Sequence, residues 1–316
     1  MNDKILLAPI QGITDYVFRN VFLKYFSGVD YMYSPFLRLD KDNNLRNSKI
    51  RDILPENNKI NNMIPQIMTN SSDGLIFLCN FLGDKGYNEI NWNLGCPFPM
   101  VANRKLGSGL LPFHHEIGKI LDESMPKLNL KLSIKMRLGY ENPNDINDIL
   151  PILEKYPLSE IIIHPRTAKQ MYKGEVNLEA FENSLQLTKH NISYNGNINT
   201  VDDFKYLKER FPQINSWMLG RGIVSNPFLA SDIKNENICN NKRNQFKLFH
   251  TELSETYLNL QSGNSHFINK MKGFWEYFSL SFTNSHKVYK RIKKAKTQAD
   301  YYAAANYNFN NEKWCY

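Results

Sequence analysis

Short apolar runs rich in β-branched residues recur through the first 220 residues, and longer segments with apolar positions at helical spacing separate them. The runs predict strands over residues 5–9, 30–34, 64–68, 89–93, 131–136, 161–164, 192–194 and 217–219. Eight strands alternating with helices predict an α/β fold of the (β/α)8, TIM-type barrel kind; an open doubly wound sheet is the second choice. After Phe228 the pattern changes. Residues 234–242 are polar, Asn-rich and without periodicity, whereas Phe246, Phe249, Leu253, Tyr257 and Leu260 recur at helical spacing. Residues 267–282 are aromatic-rich with basic flanks. The expected division is a catalytic barrel over residues 1–234, a linker over 235–242 and a small C-terminal helical domain over 243–316.

Composition narrows the class. Hydrophobic residues make up 42% of the 316, and no stretch approaches the ~18 consecutive apolar residues a membrane span needs, so a soluble protein is expected. Met1-Asn2-Asp3-Lys4 leads into Ile5-Leu6-Leu7 without the features of a secretory signal, which points to the cytoplasm. Cys79, Cys96, Cys239 and Cys315 lie far apart with no C-x-x-C spacing. That argues against a metal site or a disulfide framework and predicts free thiols. The net charge is +8, of which residues 243–316 hold +6, from 11 Lys and Arg against 5 Asp and Glu. A local excess of this kind suits a polyanionic partner, with a solvated helix surface as the ordinary alternative.

Candidate chemistry gathers at strand ends. Asn93-Leu94-Gly95-Cys96-Pro97 leaves the fourth expected strand, and its Gly and Pro shape a tight turn around the thiol. A buried structural role is the common one for Cys, but at a strand end in a barrel mouth both proton donation and nucleophilic attack are open to it. Lys135 alternates with Ile134 and Met136 and so should point into the barrel mouth, where a desolvated ammonium needs an anionic or electron-rich partner. His164 and Arg166 end the sixth strand, and Gln66 on the third offers an uncharged donor and acceptor. Asn195-Gly196-Asn197 and Gly220-Arg221-Gly222 end the last two. Glycines there let backbone N–H groups converge on an anion, and Arg221 adds a forked donor, which reads as a phosphate site.

Taken in order, Ala8-Pro9-Ile10-Gln11-Gly12-Ile13-Thr14-Asp15, Gln66, Asn93-Leu94-Gly95-Cys96-Pro97 with Gly107-Ser108-Gly109-Leu110, Lys135-Met136-Arg137, His164-Pro165-Arg166-Thr167, Asn195-Gly196-Asn197 and Gly220-Arg221 resemble the bacterial, FMN-dependent tRNA-dihydrouridine synthase family over nearly all of residues 5–230. The resemblance implies that Pro9, Ile10 and Gln11 line FMN, and that Gln66 and Lys135 hold its pyrimidine edge. It places His164 against the cofactor and puts Asn195, Gly196, Asn197, Gly220 and Arg221 around its phosphate. Cys96 is then the proton donor, and Asn93, Arg166 and Tyr172 are candidates for gripping the uracil. The chain departs from the common pattern at Ile10, Gly109 and Asn197, where Met, Ala and Asp are frequent. None of these removes a reacting group.

The reaction so implied is reduction of the uracil C5=C6 bond in tRNA, with hydride passing to C6, a proton from Cys96 to C5, and NADPH as the reductant of FMN. A monomer is expected. The stretch Lys287-Val288-Tyr289-Lys290-Arg291-Ile292-Lys293-Lys294-Ala295-Lys296 sets cations beside aromatic rings, as an RNA-binding helix would. Removing residues 243–316 is therefore expected to leave a barrel that holds FMN but binds tRNA poorly. Two other functions fit parts of the pattern. One is an FMN-dependent reductase of a free pyrimidine, similar to dihydroorotate or dihydropyrimidine dehydrogenases, which needs no basic appendage. The other is a catalytically silent RNA-binding barrel, which would be colourless.

Overall fold

A computed structural model of the chain describes residues 3–40, 44–59, 62–236, 240–260 and 263–316. Its strands are β1 (Lys4–Leu7), β2 (Tyr31–Tyr33), β3 (Met63–Ile64), β4 (Gln66–Ile67), β5 (Glu89–Leu94), β6 (Lys131–Gly139), β7 (Ile161–Thr167), β8 (Ile192–Tyr194) and β9 (Ser216–Leu219). All pair in parallel in the order β3-β2-β1-β9-β8-β7-β6-β5-β4. The two ends of that order, β3 and β4, are halves of one strand divided at Pro65, whose imide nitrogen has no proton to give a ladder. The Ile64 carbonyl accepts from Ser34 N–H on one side, and the Pro65 carbonyl accepts from Asn91 N–H on the other. The ring is thus a TIM-type barrel and not an open sheet.

Side-chain alternation divides the ring into two faces. Ile5, Leu7, Trp92, Ile134, Met136, Ile161, Ile163, Trp217 and Leu219 point outward into the main core under the helices. Leu6, Ala8, Tyr33, Ile64, Ile162 and Met218 form a separate small cluster inside. The inward positions of β5 and β6 are polar instead, and their register sets Asn91 opposite Ser133 and Asn93 opposite Lys135. Between Arg137 and Gly139 the β6–β7 register slips. Pro165 lies in that gap, so β7 runs to Thr167, three residues beyond the expected end.

The C-terminal part consists of helices Lys242–Leu260, Asn264–Phe278, Ser285–Lys294 and Gln298–Asn311. Phe246, Phe249, Leu253 and Tyr257 are buried as their spacing predicts, while Leu260 at the helix end is exposed. Their packing continues the barrel's core. Phe249 meets Phe26 at 5.0 Å and Phe18 at 6.0 Å, and Phe274 stacks on Phe18 at 5.7 Å. Polar contacts pin the same junction: Lys270 Nζ donates to the Gly12 carbonyl at 2.8 Å and to Asp15 Oδ2 at 2.7 Å, and Tyr257 Oη donates to Asp15 Oδ1. Asp15 also caps helix Tyr16–Tyr25 through Phe18 N–H. The loop after β1 is therefore held between the barrel and the helices.

Part of the expected linker, residues 237–239 with Cys239, lies outside the described residues. Cys79, Cys96 and Cys315 are free thiols. Among the described residues no helix is long and apolar enough to cross a membrane.

Candidate active site

At the C-terminal ends of the strands lies a cavity of about 700 Å³. Its floor is built from inward positions of β5, β6 and β7. Asn93 anchors the thiol-bearing turn: its Oδ1 accepts the N–H groups of Gly95 at 3.0 Å and Cys96 at 2.9 Å. Its Nδ2 donates to Gln66 Oε1 at 2.7 Å. Gln66 Nε2 in turn donates to Asn91 Oδ1 at 2.8 Å, and Asn91 Nδ2 donates to Ser133 Oγ at 3.0 Å. This chain of amides is satisfied throughout, which fixes the turn by hydrogen bonds that would be costly to leave unmade. On the other side, Ser108 donates to the Cys96 carbonyl through N–H at 3.1 Å and Oγ at 2.8 Å. Gly107, at φ +57°, passes so close that a Cβ there would sit 2.9 Å from Cys96 Cβ. The departure at Gly109 has a local cause too, since a Cβ would fall 2.0 Å from the Ala102 carbonyl oxygen.

Burial pushes the Cys96 thiol up from its ordinary value, against the Phe98 N–H and the cations Arg137, Arg38 and Lys135, which pull it down. The thiol therefore keeps its proton at neutral pH. Lys135 Nζ has no hydrogen-bond partner among the described residues, and burial, with Arg137 nearby, brings its pKa down to about 7. His164 is held well below its ordinary value by burial and then by Arg137, Lys135, Arg166 and Arg221, so its ring is neutral.

Arg137, which the sequence motif carries without a role of its own, is a wall residue. Its Nε donates to the Gly95 carbonyl at 3.0 Å, and its Nη1 donates to the carbonyls of Thr167 at 2.8 Å and Met171 at 2.7 Å. It ties the thiol turn to the loop carrying Tyr172. The Tyr172 ring, 46% exposed, lies between Arg137 at 5.4 Å and Arg221 at 4.9 Å.

The loops after β8 and β9 close the far end. A Cβ on Gly222 would fall 2.1 Å from the Ile198 carbonyl oxygen, so these loops touch backbone to backbone. Asn197 Oδ1 accepts from both Arg166 Nη1 and Arg221 Nη2 at 3.3 Å, and Asn195 Nδ2 donates to the Met218 carbonyl at 2.7 Å. The N–H groups of Gly196 and Asn197 have no partner among the described residues. Open donors beside an Arg fork make an anion site.

Of the residues singled out from sequence, Pro9, Ile10, Gln11, Asn93, Cys96, Lys135, His164, Tyr172, Asn195, Gly196, Asn197, Gly220 and Arg221 all line this one cavity. Two do not. Gln66 is fully buried and bonded to Asn91 and Asn93. Arg166 is buried behind His164, its Nη1 3.0 Å from His164 Nε2 and its Nη2 donating to the Gly174 carbonyl at 2.7 Å. The sequence reading missed the wall supplied by the helical part, Glu276, Tyr277 and Leu280. Its only trace in sequence is the aromatic-rich stretch that contains it.

A family model described as dihydrouridine synthase matches residues 6–312. The chain is 27% identical over 234 residues to tRNA-dihydrouridine synthase B of Pasteurella multocida, covering 72% of this chain and 68% of that one. It is 26% identical over 307 residues to tRNA-dihydrouridine(16) synthase of Neisseria meningitidis serogroup A, covering 93% and 91%. Among solved structures, histamine dehydrogenase from Rhizobium sp. 4-9 is similar in fold, with a TM-score of 0.52 at 8% identity, covering 73% of this chain and 45% of that one. So is 2-naphthoyl-CoA reductase, at 0.53 and 10%, covering 74% and 50%. With a match over nearly its whole length, the chain belongs to the dihydrouridine synthase family and is an enzyme of the oxidoreductase class.

Proposed function

We propose that the chain reduces specific uridines of tRNA to 5,6-dihydrouridine, with FMN as cofactor and NADPH or NADH as reductant. The observation that carries this reading is the meeting, in one cavity, of a protonated Cys96 thiol, an unpaired Lys135 ammonium and the anion-receptive loops at Asn195–Asn197 and Gly220–Arg221. The residues present fit FMN. Lys135 answers an electron-rich pyrimidine edge, Arg221 with the open N–H groups of Gly196 and Asn197 answers a phosphate, and Pro9, Ile10 and Gln11 form an adjoining wall. Gln66 acts through Asn93, and Arg166 through His164 and Asn197.

The flavin, when bound, supplies the hydride that goes to uracil C6. Cys96 delivers its proton to C5, discharging the enolate-like charge left on the ring. Asn93 holds the thiol turn in place for that transfer. Arg137 and Tyr172 frame the side where a flipped base enters, and drawing that base out of folded tRNA costs a few kcal/mol. Basic side chains of the C-terminal part, Lys290, Lys293, Lys294 and Lys296 among them, offset that cost through phosphate contacts. The test is mapping dihydrouridine in tRNA from cells with and without the gene, alongside purified protein assayed on tRNA and on free uracil. Loss of dihydrouridine at defined positions supports the reading. Turnover of free uracil in preference to tRNA, or folded protein that binds no flavin, overturns it.

A further inference from the structure

Among the described residues lining the cavity, Glu276 is the one acidic side chain, and the other charged members are Lys135, Arg137 and Arg221. It does not drift free. Tyr289 Oη, on helix Ser285–Lys294, donates to Glu276 Oε1 at 2.8 Å, and Oε2 has no partner among the described residues. A carboxylate held facing a cavity that receives phosphate-bearing ligands weakens their binding, unless the ligand presents a donor to it. Of the amide oxygens in the wall, Asn93 Oδ1 already takes two backbone N–H groups and Asn197 Oδ1 two arginines, while those of Gln11, Asn195 and Asn199 carry no charge.

We infer that Glu276 is a substrate-specificity residue whose free carboxylate oxygen accepts the N3–H of the target uracil. The inference rests on the dihydrouridine reading and deepens it. Uracil has one ring donor, N3–H, between two carbonyl acceptors, and the wall that supplies cations for acceptors needs one acceptor for that donor. Cytosine presents a lone pair at N3, which a carboxylate repels, so the same contact rejects it. The tyrosine matters because a carboxylate already oriented loses less freedom on binding.

The experiment uses the full chain, loaded with FMN and reduced. It is mixed in single turnover with tRNA assembled to carry uridine, 3-methyluridine or 2′-deoxyuridine at the modified position, and flavin reoxidation and product mass are followed. Wild-type reoxidation by the uridine tRNA establishes the underlying reading; its absence overturns that reading and the inference with it. Glu276→Ala slows reaction with uridine roughly 10–100-fold, the fold-change of one hydrogen bond to a charged group. Glu276→Gln, isosteric and still an acceptor, recovers part of the rate. The wild type is slowed by the N3-methyl group, and Glu276→Ala is slowed little further by it, because both changes remove the same contact. Penalties that multiply, a Glu276→Ala rate equal to wild type, or a loss that follows the 2′-hydroxyl instead of N3 would each overturn the assignment.

Discussion

The proposed function has Cys96 hand over a proton, and burial, which outweighs the three cations around it, keeps that proton on the thiol. Cys96→Ala is expected to retain flavin and its reduction by NADPH while dihydrouridine formation falls roughly 10²–10⁴-fold, the usual contribution of a positioned acid. With the thiol raised, the single-turnover rate is level through neutral pH and declines only on the alkaline side. A decline beginning below pH 7 would assign the proton to another group. Lys135 has the opposite character. Its pKa of about 7 in the free protein makes it an ammonium below that pH and an amine above it. An electron-rich partner beside Nζ raises that pKa, so flavin binding at pH 8 takes up a proton, and affinity falls as pH rises from 7. Calorimetric titration in buffers of different ionisation enthalpy measures the uptake. Lys135→Met should abolish it, and equal uptake by that variant would place the proton elsewhere.

The contact between the loops after β8 and β9 belongs to the scale of elements. Gly222 reaches within van der Waals range of the Ile198 backbone, and a methyl group there has no flexible side chain to displace. Gly222→Ala should therefore separate the two loops and release FMN on gel filtration, while far-UV circular dichroism stays that of the wild type. Flavin retained at wild-type affinity would show that the phosphate lies elsewhere. Such loops were readable from sequence because Gly and Asn at consecutive strand ends have few other uses. The inward turn of Lys135 was equally readable, since period two fixes which face a residue takes. β7 runs past its expected end at residue 164 through Pro165, a residue type that argues against a strand, and the slipped register with β6 shows why it is tolerated. The family resemblance sets Gln66 and Arg166 against the ligands, whereas the structure buries both, because a motif gives a residue's place along the chain and not its depth. Glu276 could not be found that way, since which side of a helix meets the barrel rim is decided by packing between segments remote in sequence.

The aromatic packing of Phe18, Phe26, Phe249 and Phe274 changes how the basic tail can be tested on the whole molecule. The barrel and the helices share one core, and Glu276, Tyr277 and Leu280 complete the cavity wall. Cutting at residue 243, which sequence alone suggested, would expose that core and open the site at once, so loss of tRNA binding would say nothing about charge. Substitution at the surface avoids this. Helix Ser285–Lys294 buries Val288 and Ile292 and exposes Lys290, Lys293 and Lys294, with Lys296 just beyond. Lys287 and Arg291 are different, since both pair with Glu312. The four exposed lysines make no ion pair among the described residues and are available to phosphates. Each phosphate they neutralise contributes about 0.7–0.9 to the slope of log affinity against log salt. Replacing all four by Ala should therefore flatten that slope for tRNA by roughly 3 and weaken binding most at low salt. Flavin content and thermal stability should stay near wild type, because these side chains lie outside the core. The measurement is tRNA affinity by filter binding across a salt series for both proteins. A parallel pair of lines would show that the cations are only a solvated face of the helix, and would move the RNA-binding surface to the barrel rim.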